Sequence, residues 1–233
     1  MSEPLPIVLI PGLLASARMY AAQIPQLWRA GPVMIADHTR DASMSAVARR
    51  ILGTAPARFA LAGLSMGGYI AFEILRQAPE RIAKVALLDT SARADAPEQT
   101  AMRRAQMTLA AQGRLAEVVE QQFPRLVHRA RHADASLREV FNLMAEEVGA
   151  AGFIRQQTAI LGRSDSRPTL GSVRCPALVL VGEGDELTPP ERAAEIAAGI
   201  RGAHLVTVPQ CGHVSTLEQP VEVTRALLEW LEA

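Results

Sequence analysis

Cysteine is scarce: Cys175 and Cys211 are the only two in 233 residues, and they form no close-spaced pair. That excludes a disulfide framework and a cysteine metal centre, and an intracellular chain with two such residues keeps both reduced. Excess charge of either sign is also missing, because 24 Lys and Arg meet 24 Asp and Glu. The electrostatic footprint of a nucleic-acid or membrane-surface protein is therefore absent, and the expected partner is a small molecule. No apolar run is long enough to span a bilayer, and Met1 to Pro6 lacks a basic region followed by an apolar core. A cytoplasmic protein is expected, as a monomer or homodimer, with no cofactor and no metal.

What the chain does have is apolar substance. Its 49% hydrophobic content fills a sizeable core, and the length fits one α/β domain with an insertion. Strand-like and helix-like segments alternate: Ile7 to Ile10, a helix from about Ala17 to Trp28, Val33 to Ala36, a helix from about Met44 to Leu52, then Arg58 to Leu64, a helix from Met66 to Ala78, and Lys84 to Leu88. The pattern then changes. From about Asp95 to Ser166 there is no strand signal, and Ala, Gln, Glu, Arg, Leu and Met favour helix. Strands return at Ala177 to Gly182 and His204 to Pro209, and a last helix is expected from about Val221 to Leu231. The implied organisation is a core of residues 1–94 and 167–233 interrupted by a helical insertion at 95–166.

The chemistry concentrates where strands end. Gly63-Leu-Ser65-Met-Gly67 reads as a strand running into a Gly-x-Ser-x-Gly turn and a helix, which leaves a serine hydroxyl exposed above the sheet. Asp185 follows the strand ending at Gly182, and His213 follows the strand ending near Pro209. A parallel sheet carries all its strand ends to one edge, so Ser65, Asp185 and His213 can converge there. Glu183 and Glu186 flank Asp185 and stay open as alternative acids. Each residue also has a plain reading as an ordinary turn or loop residue; order and position after separate strands argue for the joint one.

With these residues in hand, the chain resembles the α/β-hydrolase fold superfamily over nearly its whole length. The resemblance rests on Gly63 to Gly67 as a nucleophile elbow, Gly182-Glu-Gly-Asp185 with Thr188-Pro189 as an acid turn, and Gly212-His213 with Leu217-Glu-Gln-Pro220 as a histidine loop. Within it the chain is most similar to small serine esterases, enol-lactonases of the 3-oxoadipate type and carbon-carbon bond hydrolases. The resemblance implies a mostly parallel sheet with helices on both faces, a helical cap over the crevice, and Asp185 as the acid. It also implies Ser65 as nucleophile, His213 as general base, and the backbone N–H groups of Leu13 and Met66 as an oxyanion hole. The early loop departs from the family, having Pro11-Gly12 where His-Gly is usual, yet it leaves the Leu13 amide free.

The function so implied is cleavage of a small carboxylic ester or lactone through an acyl-enzyme. Alternatives on the same triad are a carbon-carbon bond hydrolase and a thioesterase; the non-enzymatic one is a ligand-binding, receptor-like protein. Leu14, Val214, Met107, Phe123, Phe141, Met144 and Phe153 are candidate pocket residues, although apolar residues at helical spacing more often fill the core between cap and sheet. His128 and His132, four apart on an expected helix, suggest a metal clamp, but no third ligand accompanies them. Arg103, Arg104 and the arginines from Arg125 to Arg138 either solvate the cap or supply one inward guanidinium for a substrate carboxylate.

Overall fold

The computed structural model describes residues 4–233. Six strands, β1 (Ile7–Ile10), β2 (Val33–Ile35), β3 (Phe59–Leu64), β4 (Ile82–Leu88), β5 (Ala177–Gly182) and β6 (His204–Val208), form one sheet in the order β2-β1-β3-β4-β5-β6. Every pairing is parallel, with β1 residues Ile7 to Ile10 in register with Ala60 to Gly63 of β3. The central strands β1, β3 and β5 are buried throughout, which their unbroken apolar sequences require in a sheet covered on both faces.

Alternation along the strands divides the core in two. Ile7, Leu9, Ala60, Ala62, Leu178 and Leu180 face α1 (Ile24–Ala30) and α10 (Pro220–Glu232). Val8, Ile10, Phe59, Leu61, Val179 and Val181 face α2 (Met44–Thr54), α3 (Met66–Gln77) and α8 (Pro190–Gly199). Helix α2 shows the logic plainly: Met44, Val47, Ala48 and Ile51 fall on one buried stripe, and the Ser43 hydroxyl caps the first turn by accepting the Ala46 N–H at 3.3 Å.

Between β4 and β5 the chain builds a helical layer of α4 (Pro97–Ala111), α5 (Leu115–Leu126) and α6 (Ala135–Leu161), followed by the short α7 (Arg167–Leu170). A further short helix, α9 (Ser215–Glu218), follows β6. Helix α6 is broken at Gly149, whose φ of 68° and ψ of 166° are not helical. The helix expected from Ala17 to Trp28 is two pieces, a 3-10 turn at Ala17–Tyr20 and α1 from Ile24. Pro25 explains the division: it has no N–H to give and is accommodated in the first turn of a new helix rather than in the interior of an old one.

The chain leaves β1 for β2 at one edge, then returns past β1 to β3 and proceeds to β6. The winding direction thus reverses between β1 and β3. In an open parallel sheet the crevice lies outside the carboxyl ends of the strands at such a reversal, which here is where the loops after β1 and β3 emerge.

Candidate active site

Ser65 stands between β3 and α3 with φ 55° and ψ −113°, a conformation seldom taken by a residue with a side chain. The flanking glycines are sterically required. A Cβ on Gly63 would collide with the Gly67 carbonyl, and one on Gly67 with the Ile10 carbonyl of β1. The turn is fastened on both sides, Ser65 N–H donating to Leu88 O at 2.9 Å and the Thr90 hydroxyl donating to Ser65 O at 2.8 Å.

The three strand-end residues come together. His213 Nε2 lies 2.8 Å from Ser65 Oγ, and His213 Nδ1 lies 2.8 Å from Asp185 Oδ2. The second Asp185 oxygen accepts the N–H groups of Leu187 and Thr188 at 2.8 and 2.9 Å, and the Thr188 hydroxyl donates to Oδ2 at 2.7 Å. Glu183 instead accepts the Gln210 N–H at the surface, and Glu186 is exposed, so Asp185 is the carboxylate that meets the imidazole. Burial alone would raise the Asp185 carboxyl, but the His213 charge and the hydrogen bonds from His213 and Thr188 hold it below the usual carboxylate range. Burial likewise pulls the His213 imidazole down, and the charge and hydrogen bond of Asp185, assisted by Asp89 and Glu218, push it above the ordinary value.

Neither Leu13 nor Met66 uses its N–H in a hydrogen bond among the described residues, and both line the cavity beside Ser65. The neighbouring Leu14 has φ 56°, and its own N–H is taken by Gln156 Oε1 at 3.0 Å. The loop is held from behind by His38, whose Nε2 donates to Gly12 O at 2.8 Å. Burial lowers the His38 pKa and so favours the neutral ring.

The cavity in front of Ser65 holds about 1000 Å³ of space, open mouth included, and is enclosed by these loops together with α4, α5 and α6. Of the expected pocket residues, Leu14, Phe141 and Val214 line it. Phe123 and Met144 do not, a correction shared by Met107 and Phe153. Phe123, Met144 and Phe153 are fully buried in the cluster joining the helical layer to the sheet; the Phe123 ring meets that of Phe141 edge to face, with centroids 5.4 Å apart. Helical spacing marks an inward face without saying whether a cavity or a neighbouring helix receives it. His128 and His132 flank a 3-10 turn at Arg129–Arg131, so the helical geometry that a metal clamp needs is not formed. The described residues contain no group of three or more potential metal ligands.

Two groups that support the site carry little sequence signal. Asp89, at the end of β4 with φ 43°, is fully buried; it accepts the Gly182 N–H at 2.9 Å and the Ser215 hydroxyl, linking the strand before the acid to the helix after the histidine. Burial, then the Asp185 charge, push its carboxyl up to about 8. Glu218 accepts the N–H groups of Gly212 at 2.9 Å and His128 at 2.7 Å, while His213 N–H donates to Leu126 O at 2.9 Å. The histidine loop is thus fastened to the end of α5. A signal existed only for Glu218, inside the quoted Leu217-Glu-Gln-Pro220 segment; Asp89 reads in sequence as one more residue after a strand.

The arrangement can move a proton from Ser65 Oγ to a buried, carboxylate-backed imidazole beside two unengaged backbone amides. Comparison with known proteins identifies the family. The model of the alpha/beta hydrolase family matches residues 7–226. A thermophilic esterase from Thermogutta terrifontis, solved with malate bound, is 30% identical with a TM-score of 0.89 over 100% of this chain and 91% of that one. The pimeloyl-(acyl-carrier protein) methyl ester esterase of Chromobacterium violaceum is 29% identical over 80% of this chain and 75% of its own length. An enol-lactonase from Burkholderia xenovorans shares the fold at 23% identity, with a TM-score of 0.87 over 100% of this chain and 93% of that one. With the strand-to-helix turn, the all-parallel sheet and the family match in agreement, the chain belongs to the alpha/beta hydrolase family and is an enzyme of the hydrolase class.

Proposed function

We propose that the protein is a serine hydrolase that cleaves a small carboxylic ester or lactone through an acyl-enzyme. The single observation that carries this reading is the continuous chain from Ser65 Oγ through His213 to Asp185, each link 2.8 Å, opening on a cavity beside the unengaged Leu13 and Met66 amides. His213 takes the Ser65 proton as the hydroxyl attacks the carbonyl, and returns it to the departing alkoxide; water then repeats the cycle on the acyl-enzyme. Asp185 holds the imidazole so that Nδ1 carries a proton and Nε2 accepts one, and its charge stabilises the imidazolium. The Leu13 and Met66 N–H groups receive the oxyanion, and each such donor is worth about 10²–10³ in turnover. Helices α4 to α6, residues 95–166, act as a cap that encloses the acyl group and sheds water.

Two esterases among the relatives support the ester reading, and the enol-lactonase supports its extension to lactones. No step in this chemistry calls for a metal or organic cofactor, and the substrate is a small molecule. No helix among the described residues is long and apolar enough to cross a membrane, and both cysteines are free, which fits a cytoplasmic setting. The test is mass spectrometry after exposure to a fluorophosphonate, followed by a screen of short p-nitrophenyl esters and lactones. Labelling of the parent that disappears in Ser65→Ala, with turnover lost in the same variant, is expected. An unlabelled, inactive parent would overturn the assignment in favour of a receptor-like protein.

A further inference from the structure

The cavity is apolar at its walls, through Met19, Val119, Phe141, Ile160 and Val214, but its polar lining is one-sided. No Asp or Glu is among the described residues that line it, whereas Arg103, Arg125 and three glutamines are. Arg103 is already spent: its guanidinium donates to Asp95 at 2.6 Å and to Gln157 Oε1 at 2.9 Å, and its side chain is nearly buried. Arg125 is not. Among the described residues its side chain, exposed at the cavity, makes one hydrogen bond, from Nη1 to the Met102 sulfur at 3.1 Å, a weak acceptor, and no described carboxylate pairs with it. Other cap arginines are also settled on carboxylates, Arg114 against Glu117 at 2.6 Å, Arg131 against Asp134 at 3.0 Å, Arg138 against Glu120 at 2.6 Å and Arg163 against Asp95 at 2.7 Å.

Two of the three lining glutamines, Gln99 and Gln106, point the same way. A guanidinium has no acceptor, so Gln157 must turn its carbonyl to Arg103 and its amide NH2 to Gln106 Oε1, 3.0 Å away. Gln106 therefore has its oxygen occupied and its NH2 left over at the cavity. Gln99 is fixed likewise, its oxygen accepting the Ala96 N–H at 2.9 Å. The polar lining thus offers donors, from the exposed Arg125 and Gln99 and from the buried Gln106, with no Asp or Glu among the described lining residues to balance the charge.

We propose that Arg125, assisted by the amide NH2 groups of Gln99 and Gln106, binds a carboxylate carried by the substrate, so that the preferred substrate is a monoanionic ester or lactone with its charge remote from the scissile carbonyl. This rests on the serine hydrolase reading for the scissile bond and on the cavity lining for the anion. The planar guanidinium fork suits a carboxylate in two-point contact. Arg125 immediately precedes Leu126, whose carbonyl holds the His213 backbone, so the anion anchor and the proposed general base are tied to one turn of α5.

The experiment compares monomethyl adipate, which is anionic, with methyl hexanoate, its neutral counterpart of equal chain length. For the parent, kcat/KM is expected to favour the anionic ester about 2- to 5-fold at low ionic strength, the range of an exposed ion pair, with the difference carried by KM. Arg125→Gln should bring the ratio near one, Arg125→Lys should keep part of it, and about 1 M salt should shrink it. Binding of the same two esters to Ser65→Ala, by calorimetry with and without Arg125→Gln, gives a readout independent of turnover. Equal kcat/KM for the two esters, or a preference unmoved by Arg125→Gln, would overturn the anion site while leaving the hydrolase reading intact. If neither ester is turned over and Ser65 is unlabelled, but Ser65→Ala binds the anionic ester in an Arg125-dependent way, the anion site stands and the hydrolase reading falls. Absence of any such binding difference would sink the proposal.

Discussion

At position 65 two costs compete, and their sizes decide which wins. A side chain at φ 55°, ψ −113° stores on the order of 1–3 kcal/mol of strain, while glycine loses about 0.4–1 kcal/mol through unfolded-chain entropy. Ser65→Gly is therefore expected to be more stable than Ser65→Ala by on the order of 1 kcal/mol in urea unfolding, although both lack the hydroxyl and turnover. Equal stability, or the reverse order, would mean that the elbow stores no backbone strain. His213 makes a second statement. Its imidazole is held above the ordinary value of 6.5, and a general base works only when unprotonated. The acid limb of kcat/KM should accordingly have a midpoint above 6.5, and Asp185→Asn should move that midpoint down while removing most of the turnover. A limb that stays in place in Asp185→Asn would show that Asp185 does not set the imidazole's proton affinity.

The helical layer is where element-scale constraints show. Helix α6 must change direction at Gly149, and a φ of 68° with a ψ of 166° belongs to a region open essentially to glycine alone. A Cβ there would meet nothing within 4 Å, so any penalty comes from the backbone and not from crowding. Gly149→Ala should cost on the order of 1–2 kcal/mol, the strain less the gain from a stiffer unfolded chain. An unchanged denaturation midpoint would show that the break survives without glycine. At the other elements the reverse holds: Gly63 and Gly67 are needed for space, because β1 and the turn of α3 pass closer than a methyl group allows.

For the molecule as a whole, the question is whether the helical layer is a separate body. Phe123, Met144 and Phe153 share one buried cluster with Leu9, Ala62 and Leu180 of the sheet, and α5 holds the histidine loop through Leu126 and Glu218. One cooperative unfolding transition is therefore expected, and Phe123→Ala should lower it by about 3–5 kcal/mol through a cavity, with the loss in stability rather than in KM. Two resolved calorimetric transitions, or a KM effect without loss of stability, would return Phe123 to the pocket and separate the layer from the sheet.

Much of the architecture was legible because it is local. Unbroken apolar runs of four to six residues alternating with helical segments, and a serine between glycines, follow from chain geometry over short distances, so the sheet and the turn at Ser65 could be read in order. Proximity of Asp185 and His213 to Ser65 was legible one step less directly, from the rule that parallel strands end on one edge. What tertiary structure alone decided is how each inward face is used. Phe141 borders the cavity as well as the core while Phe123 lies in the core alone, although both are buried aromatics on helices of the same layer. Arg103 meets Asp95 while Arg125 meets no carboxylate among the described residues, and Asp89 joins the end of β5 to the start of α9, both far from it in sequence. Periodicity states that a side chain points inward; only the packing of elements distant in sequence determines what stands opposite it, and with that its charge balance, its solvation and its chemistry.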